Sequence, residues 1–443
     1  AKYHLPWLYP FSRYGSWQQS HPEIICGIKR GFSFFKHHPG KEFVTNEDHQ
    51  HELLVAANAD DMLSDTNWLR ADMDAFLVSR VVEAGIDYFD QTEIIKGDWN
   101  SYWDIQLICH QKPAQLQASF FIDATGSGAL LHHLLGIKSS AEDFLTNSFA
   151  LFSHFRNVPC WMDMLQQTHI PTDDFPYNPD RSALHHILDE GWLWVLRFND
   201  ERTSMGFVLQ HEEVYSTLST ERIWNDLLSK YPAIHRIMQP ATLADPPGKI
   251  LRSSRLQRKA AKCVGRGWAA LPHTAGFVDP LYSTGIAFSL SGIERIVEII
   301  RNHWGHDKSL NQKLKDYEHA VFEELTLLDH LITGSYKTMS HFELFNVWSM
   351  LYFAVTIAYE QDRLRGKPAE SFLHAGRRDV MQMVQTSYAE LLKITEGGEP
   401  SRKSITEFSR IIRERIHPIN SAGLLDPASK NMYRHTAAEL PNE

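Results

Sequence analysis

The sequence is poor in cysteine and has no excess of positive charge. Its four cysteines, Cys26, Cys109, Cys160 and Cys263, include no close pair. This spacing argues against a disulfide framework or a thiolate zinc site and fits a reducing compartment, so we predict a cytoplasmic protein. Lysine and arginine number 44 against 54 aspartates and glutamates, a net charge of −10. General nucleic-acid binding is disfavoured, because the chain lacks the positive field that a phosphate backbone requires.

Long apolar runs and several common enzyme motifs are also missing. The longest apolar stretch, residues 344–359, contains Asn346 and is shorter than the ~20 residues that span a bilayer, so it predicts a buried helix rather than a membrane span. The sequence contains no G-x-S-x-G hydrolase turn and no H-E-x-x-H zinc motif. The 24 histidines include three doublets, but adjacent helical residues point in different directions, so we predict no metal site.

Hydrophobic periodicity predicts a mixture of strands and helices. A helix is expected from Arg70, ending at the glycine Gly85, followed by a short strand over residues 86–89. The pattern predicts one strand over residues 28–35. Apolar and polar residues alternate over residues 103–109, which predicts a half-buried strand. Beyond residue 308 the pattern is helical to about residue 415, with a break expected at residues 333–337.

Two strand-to-turn segments rich in small residues are the strongest candidates for a site. F-F-I-D-A-T-G-S-G, residues 120–128, ends a strand where backbone amides can approach a ligand, although a purely structural turn explains it as well. F-V-D-P-L-Y-S-T-G, residues 277–285, precedes a predicted helix. The start of that helix offers unpaired N–H groups to an anion, unless Ser283 simply caps it.

These segments resemble those of the flavin-dependent halogenases and of the wider flavin monooxygenase and geranylgeranyl-reductase-like group. The resemblance extends in order along nearly the whole chain, and residues 277–285 match the halogenase pattern F-x-D-P-x-x-S-x-G at each fixed position. It implies an α/β FAD-binding fold, with parts at 1–138 and 251–305, an inserted β-rich substrate region at 139–250 and a helical C-terminal region at 306–443. The implied cofactor-binding residues are Arg70, Asp123, Ala124, Thr125, Gly126, His273, Phe277, Asp279, Pro280 and Ser283.

The resemblance also implies which residues hold the halide and which line the substrate pocket. In the family, a flavin hydroperoxide oxidises halide to hypohalous acid, and the amides corresponding to Thr284 and Gly285 hold the halide. G-W-L-W-V-L-R, from Gly191, is similar to the W-x-W-x-I-P motif and places Trp192 and Trp194 at the substrate pocket. Reduced FAD is expected from a separate flavin reductase.

Lys29 is the catalytic candidate. It lies in I-K-R-G-F-S-F, which is similar to the family strand whose lysine stands between the flavin and the substrate. There its ammonium would donate a hydrogen bond to hypohalous acid, or its amine would carry the halogen as a chloramine. The alternative is a solvated lysine beside Arg30 and Lys36.

Several departures from the family pattern refine these expectations. The G-x-G-x-x-G loop for the pyrophosphate is absent and Ala1 is not methionine, so we expect the sequence to begin partway into a longer reading frame. His273 replaces the aspartate that contacts the ribityl chain. Tyr282 replaces the glutamate of enzymes acting on free tryptophan, which leaves phenolic, pyrrolic or carrier-bound aromatics and places Tyr282 at the substrate pocket.

The leading hypothesis is an FAD-dependent, halogenase-like oxidoreductase that uses a halide ion to halogenate an electron-rich aromatic. Two alternatives stay open. One is a flavin monooxygenase or reductase without halide chemistry, and the other is a flavin-free binding protein or remnant, suggested by the absent phosphate loop and by His273.

Overall fold

The computed structural model describes residues 3, 5–368 and 370–438. Its strands are β1 Cys26–Lys29, β2 Gly31–Lys36, β3 Glu52–Ala56, β4 Asp65–Trp68, β5 Thr92–Trp99, β6 Trp103–Cys109, β7 Lys112–Ala118, β8 Phe121–Asp123, β9 Ser139–Ser140, β10 Ser148–Arg156, β11 Ala183–Ile187, β12 Gly191–Arg197, β13 Thr203–Gln210, β14 Thr242–Leu243, β15 Leu251–Arg252, β16 Arg258–Ala260, β17 Val264–Gly265, β18 Trp268–Ala270, β19 Gly276–Phe277 and β20 Met432–Tyr433. Its α-helices are α1 Tyr14–Ser20, α2 Arg70–Glu83, α3 Leu130–Leu134, α4 Trp161–Gln167, α5 Thr220–Lys230, α6 Pro232–Met238, α7 Pro272–Ala275, α8 Gly285–His303, α9 Asp307–Thr338, α10 Phe342–Leu364, α11 Arg378–Thr395 and α12 Arg402–Ile416.

A nine-stranded sheet forms the largest layer. Its strands follow the order β14–β10–β13–β12–β11–β2–β3–β20, and β15 also pairs with β10. The β11–β2 and β20–β3 pairs are parallel. Strands β2, β3 and β11 are buried along their whole length, because α9 and α10 cover one face of the sheet and α4 to α6 cover the other. The sheet thus takes β2, β3, β15 and β20 from outside the predicted region 139–250.

Smaller sheets carry the two strand-to-turn segments. In β17–β18–β8, strand β8 lies parallel to β18, so the turns that follow the two strands leave the same edge. The strand pair β1–β4 and the meander β5–β6–β7 lie apart from the large sheet. This arrangement brings segments about 150 residues apart in sequence to one edge, where a ligand can contact both.

The C-terminal helices are long and well buried. Helix α10 is the helix in the described part of the chain that is long and apolar enough to cross a membrane, yet 78% of its most apolar window is buried inside the protein. A helix that is apolar on all sides belongs in a core. The prediction of a buried helix over residues 344–359 is confirmed.

Three local predictions are wrong, each for a long-range reason. The expected break at residues 333–337 does not occur, because Gly334 lets α9 approach α10 so closely that a Cβ there would lie 2.0 Å from the Trp348 ring. Residues 86–89 are exposed and form no strand. Residues 28–35 split at Arg30 between two sheets, since β1 pairs with β4 whereas β2 pairs with β3 and β11.

Candidate active site

Three segments that are distant in sequence meet at His273. A Cβ atom on Gly126 would lie 3.3 Å from Cδ2 of His273, and one on Gly285 would lie 3.9 Å from its Nδ1. The Gly126 N–H donates to Thr274 Oγ1 at 3.0 Å, and the Phe277 ring lies 5.0 Å from the imidazole. The turn after β8, helix α7 and the start of α8 therefore share one surface, with glycines where a ligand can approach the backbone.

Two arginines make this surface positive. Arg258 donates to the backbone oxygens of His273 and Thr274. Burial, together with the positive charges of Arg258 and Arg70, lowers the pKa of His273 to about 4. His273 is therefore neutral near pH 7 and can either donate or accept a hydrogen bond. Sequence reasoning missed Arg258, because β16 carries no motif.

Arg70 occupies the first position of α2, as expected. Its guanidinium forms a bidentate pair with the Asp74 carboxylate, with both N–O distances 2.9 Å, and its side chain is 66% exposed. A surface pair of this kind contributes little stability. The guanidinium is thus held in place while its outer face stays open to a ligand.

The start of α8 leaves backbone donors free. Within the described chain, the cap residue Thr284 makes no side-chain hydrogen bond to the helix, and Ser283 adopts a left-handed conformation with φ 54° rather than capping it. The first N–H groups of this 19-residue helix are therefore available, and the helix dipole adds partial positive charge. Such a helix start suits a small anion at Thr284 and Gly285.

The aspartates of both motifs serve the loops themselves. Asp123 is buried and accepts hydrogen bonds from Thr125 N at 3.0 Å, Thr125 Oγ1 at 2.7 Å and Leu131 N at 2.7 Å. Its carboxylate is committed to holding the turn that contains Ala124 and Thr125. The predicted role of the turn from Asp123 to Gly126 in cofactor binding therefore depends on its backbone, because the Asp123 carboxylate oxygens are turned inward.

Asp279 is the centre of a buried network. Its carboxylate accepts hydrogen bonds from Ser148 Oγ at 2.6 Å, Tyr336 Oη at 2.8 Å and Leu281 N at 3.0 Å. Tyr336 Oη in turn accepts from Trp192 Nε1 at 3.0 Å. Burial raises the pKa of Asp279 to about 6. Asp279 therefore ties the motif loop to the large sheet through α9, and its carboxylate does not face a ligand surface.

The aromatic residues predicted for the substrate pocket lie at different depths. Trp192 is 1% and Tyr282 2% exposed, so both side chains are buried, and their role at a substrate pocket stays a prediction. Tyr282 stacks on Tyr352 with ring centroids 3.9 Å apart and shares a hydrogen bond with Ser335 Oγ. Trp194 is half-buried, and its ring centroid lies 6.0 Å from that of Trp192.

Lys29 ends β1 beside an aromatic wall. Its Nζ lies 4.5 Å from the centroid of the Phe32 ring, a cation–π contact. Within the described residues, the ammonium donates no hydrogen bond and forms no ion pair. Phe32 in turn contacts Phe353, whose ring lies 6.2 Å from that of Tyr282. A chain of ring contacts thus joins Lys29 to the loop that contains Ser283.

Glu360 on α10 is the residue near Lys29 that sequence reasoning missed. Burial lowers the pKa of Lys29, and the charges of Asp65 and Glu360 raise it again. Asp65 is the cross-strand partner of Lys29 and pairs with Arg13 at 3.3 Å. Burial, together with the charge of Asp65, raises the pKa of Glu360 to about 7, although part of this residue is exposed to solvent.

The predicted histidine doublets lie mainly in the protein interior. His185 and His186 are buried in β11, and His186 Nδ1 is 2.9 Å from Nε2 of His37. Burial lowers the pKa values of all three. In the described part of the chain, no three His, Cys, Asp or Glu side chains cluster as metal ligands would.

Comparisons with known proteins point to one enzyme family. A family profile described as tryptophan halogenase matches residues 68–351. The monodechloroaminopyrrolnitrin halogenase PrnC of Pseudomonas fluorescens is 22% identical, with 88% of this chain and 71% of that protein covered. The tetracycline 7-halogenase of Kitasatospora aureofaciens is also 22% identical, with 88% and 72% covered.

The fold matches that of a solved halogenase. The crystal structure of the halogenase PltM in complex with phloroglucinol and FAD superposes with a TM-score of 0.84 at 22% identity, covering 97% of this chain and 87% of that one. The predicted α/β FAD-binding fold with a helical C-terminal region is confirmed.

Proposed function

The chain belongs to the tryptophan halogenase family of FAD-dependent oxidoreductases, and from that premise we propose that it halogenates a phenolic aromatic, with Lys29 as the catalytic amine. The observation that supports this proposal best is the Lys29 ammonium, which lies against the Phe32 ring, with Phe353 in contact with Phe32, and has no ion-pair partner among the described residues. Tyr282 replaces the glutamate of enzymes acting on free tryptophan, which argues against free tryptophan as the substrate. Inside the core, the Tyr282 hydroxyl shares a hydrogen bond with Ser335 Oγ.

The surface around His273 fits the flavin ring of FAD. The positions of Gly126 and Gly285 leave open backbone beside the imidazole, and a Cβ at either position would enter that space. We propose that Arg70, His273, Phe277, Pro280 and the turn at Gly126 hold the flavin. Arg258 adds positive charge that suits the anionic edge of reduced flavin.

Reduced FAD held at this surface would activate molecular oxygen, and the oxygen would be the oxidant that converts halide to hypohalous acid. The free N–H groups at Thr284 and Gly285 hold the halide against the start of α8. The aromatic wall excludes water along the path from this loop to Lys29. There the ammonium donates a hydrogen bond to the oxygen of hypohalous acid, which makes the halogen more electrophilic.

The delivery of reduced FAD and the cellular location belong to the same proposal. We propose that a separate flavin reductase supplies the cofactor, which predicts turnover with reductase and NADH but none with NADH alone. Four free cysteines, of which Cys26 and Cys263 are buried, support a reducing cytoplasm.

The proposed activity is tested with reduced FAD, chloride or bromide, and a panel of phenols, pyrroles and tryptophan, with products identified by mass spectrometry. We expect halogenated phenols that appear only when halide is present. Lys29→Met should abolish product, because it keeps the stem and removes the amine, whereas Lys112→Met on the exposed strand β7 should react normally. Preferred reaction with tryptophan, or oxygenated products without halide, would contradict the proposal.

A further inference from the structure

A pocket lies at the edge of the sheet β17–β18–β8 that is opposite the surface around His273. The turns that carry Gly126 and His273 follow the C-terminal ends of β8 and β18, whereas Phe120 and Arg266 precede the same two parallel strands. Each strand has three residues, so the two edges are about 10 Å apart. The pocket, of about 440 Å³, is therefore separate from the residues proposed to hold the flavin.

Three aromatic side chains from separate parts of the chain line this pocket. Trp99 ends β5, Phe120 precedes β8, and Trp304 follows α8. The ring centroids of Phe120 and Trp304 are 6.3 Å apart, with 67° between the ring planes. Trp304 is 51% exposed, although it is a large apolar side chain. Aromatic rings around an opening of this size offer a surface for a flat apolar group of a ligand.

The turn between β17 and β18 holds one wall of the pocket in place. The Gly267 oxygen accepts hydrogen bonds from Trp103 Nε1 at 2.7 Å and from Phe121 N at 2.9 Å. A Cβ atom on Gly267 would lie 2.2 Å from two atoms of the Trp99 ring, so this ring lies directly against the turn. Because the wall is formed by the fold itself, a ligand need not order it, which lowers the entropic cost of binding.

One cation and one anion, Arg266 and Asp307, line the same pocket. Arg266 lies in the turn before β18, and Asp307 is the first residue of α9; both are exposed to solvent. Across residues 3, 5–368 and 370–438, neither side chain has a hydrogen-bond or ion-pair partner, and the two do not pair with each other. Unpaired charges of both signs beside three aromatic rings match a ligand that carries a ring, an anionic group and a cationic group.

We propose that this pocket binds a free aromatic α-amino acid. The carboxylate of the amino acid pairs with Arg266, its ammonium pairs with Asp307, and its ring packs against the aromatic wall. The site uses none of the residues proposed to bind flavin, halide or substrate, so it is a second site beyond the proposed function. An aliphatic amino acid leaves the rings uncovered, and an aromatic acid or amine leaves one charge unpaired, so all three groups contribute to selectivity.

The test is a calorimetric titration of the protein with L-phenylalanine and three matched analogues. 3-Phenylpropanoate lacks the ammonium, phenethylamine lacks the carboxylate, and L-alanine lacks the ring. We expect phenylalanine to bind about 10-fold more tightly than the acid or the amine, because each loses one charged pair, and alanine to give no measurable binding. Absence of phenylalanine binding at about 10 mM ligand would overturn the proposal.

Charge variants assign each end of the ligand. Arg266→Gln should weaken phenylalanine binding about 10-fold and leave phenethylamine binding unchanged, since the amine has no carboxylate. Asp307→Asn should weaken phenylalanine binding by a similar factor and leave 3-phenylpropanoate binding unchanged. Arg402→Gln, at an exposed arginine that begins α12, is the matched control and should bind as the wild type does. Equal losses for every ligand would overturn the assigned pairs.

A ring variant and a competition experiment locate the site. Trp304→Ala removes an exposed ring and should weaken phenylalanine binding about 10-fold or more, while the halogenation rate stays unchanged. Saturating FAD should leave the affinity for phenylalanine unchanged, because the two sites lie at opposite edges of the sheet. Full binding by Trp304→Ala, or displacement of phenylalanine by FAD, would overturn this site and leave the proposed function standing.

Discussion

The two sides of the molecule differ sharply in how deeply they are packed. The substrate side comprises the nine-stranded sheet with α9 and α10, and its strands β2, β3 and β11 are buried throughout. The flavin side comprises β5 to β8, β17, β18, α2, α3 and α8. There β7 is almost wholly exposed, α2 buries only Met73, and α8 exposes Ile286, Leu290, Ile293 and Val297.

This difference in burial distinguishes the part of the molecule that stabilises the fold from the part proposed to bind flavin. The turn at Gly126 and the start of α8 lie on the flavin side, where Gly126, Ser283 and Gly285 are not buried and their backbone stays accessible. The large core lies on the substrate side, where it holds Lys29 and Glu360 in position from β1 and α10. Most of the stability should therefore come from residues that carry no motif.

The largest predicted effect is a contrast between two matched leucines on helices. Leu351 of α10 is fully buried, whereas Leu290 of α8 is 53% exposed. Leu351→Ala should lower the free energy of unfolding by about 2–5 kcal/mol, because it leaves a cavity. Leu290→Ala should change it by no more than about 0.5 kcal/mol. Urea denaturation measures both changes. Equal losses in the free energy of unfolding would contradict the difference in packing between the two sides.

A smaller effect concerns the buried carboxyl of Asp279, which lies where the two sides meet and accepts hydrogen bonds from Ser148 and Tyr336. The pKa of Asp279 is about 6 in the folded protein, above the roughly 3.9 of an unfolded chain. Between these values the folded state binds more protons than the unfolded state, so the free energy of unfolding should fall by about 3 kcal/mol as pH rises from about 4 to above 6.

Asp279→Asn removes the titrating group and should flatten that part of the pH dependence. The measurement is the difference in free energy of unfolding between the two proteins across the range, which cancels the other titrating groups. Parallel curves for the two proteins would show that Asp279 is not the group responsible.

The smallest predicted effect concerns Gly126 on the flavin side. It tests whether accessible backbone, rather than core packing, determines FAD binding there. Gly126 has a φ of +60°, so Gly126→Ala should cost about 1–2 kcal/mol of stability. The new Cβ would also approach His273 to 3.3 Å and weaken FAD binding, measured by quenching of flavin fluorescence. Gly128→Ala in the same turn is the control, and equal FAD affinity of the two variants would contradict the assignment.

Local patterns predicted local structure well. The helix from Arg70, its end at Gly85 and the turn before α8 occur as expected, because neighbouring residues determine them. Where a feature depended on distant partners, local reading failed. Residues 86–89 look like a strand but have no strand beside them, and Gly334 looks like a helix break but serves a helix–helix contact.

The candidate site shows the same difference between features set by neighbouring residues and features set by distant contacts. The motif residues of the flavin surface could be named from sequence, since their spacing is specific. Arg258 and Glu360 could not, because nothing next to them in the chain distinguishes them from solvated charges. The burial of Trp192 and Tyr282 was also beyond sequence reasoning, as it depends on Tyr336 and Ser335 of α9.

The amino-acid sequence by itself determined the family, the turns that can receive a flavin and the lysine suited to the chemistry, because short-range backbone preferences and residue type specify these. Tertiary structure alone decided which charges face one another. Lys29 and Glu360 are more than 300 residues apart, and the packing of α10 against β2 brings them close enough for the charge of Glu360 to raise the pKa of Lys29. Contacts of that range depend on the whole core and leave no local pattern in the chain.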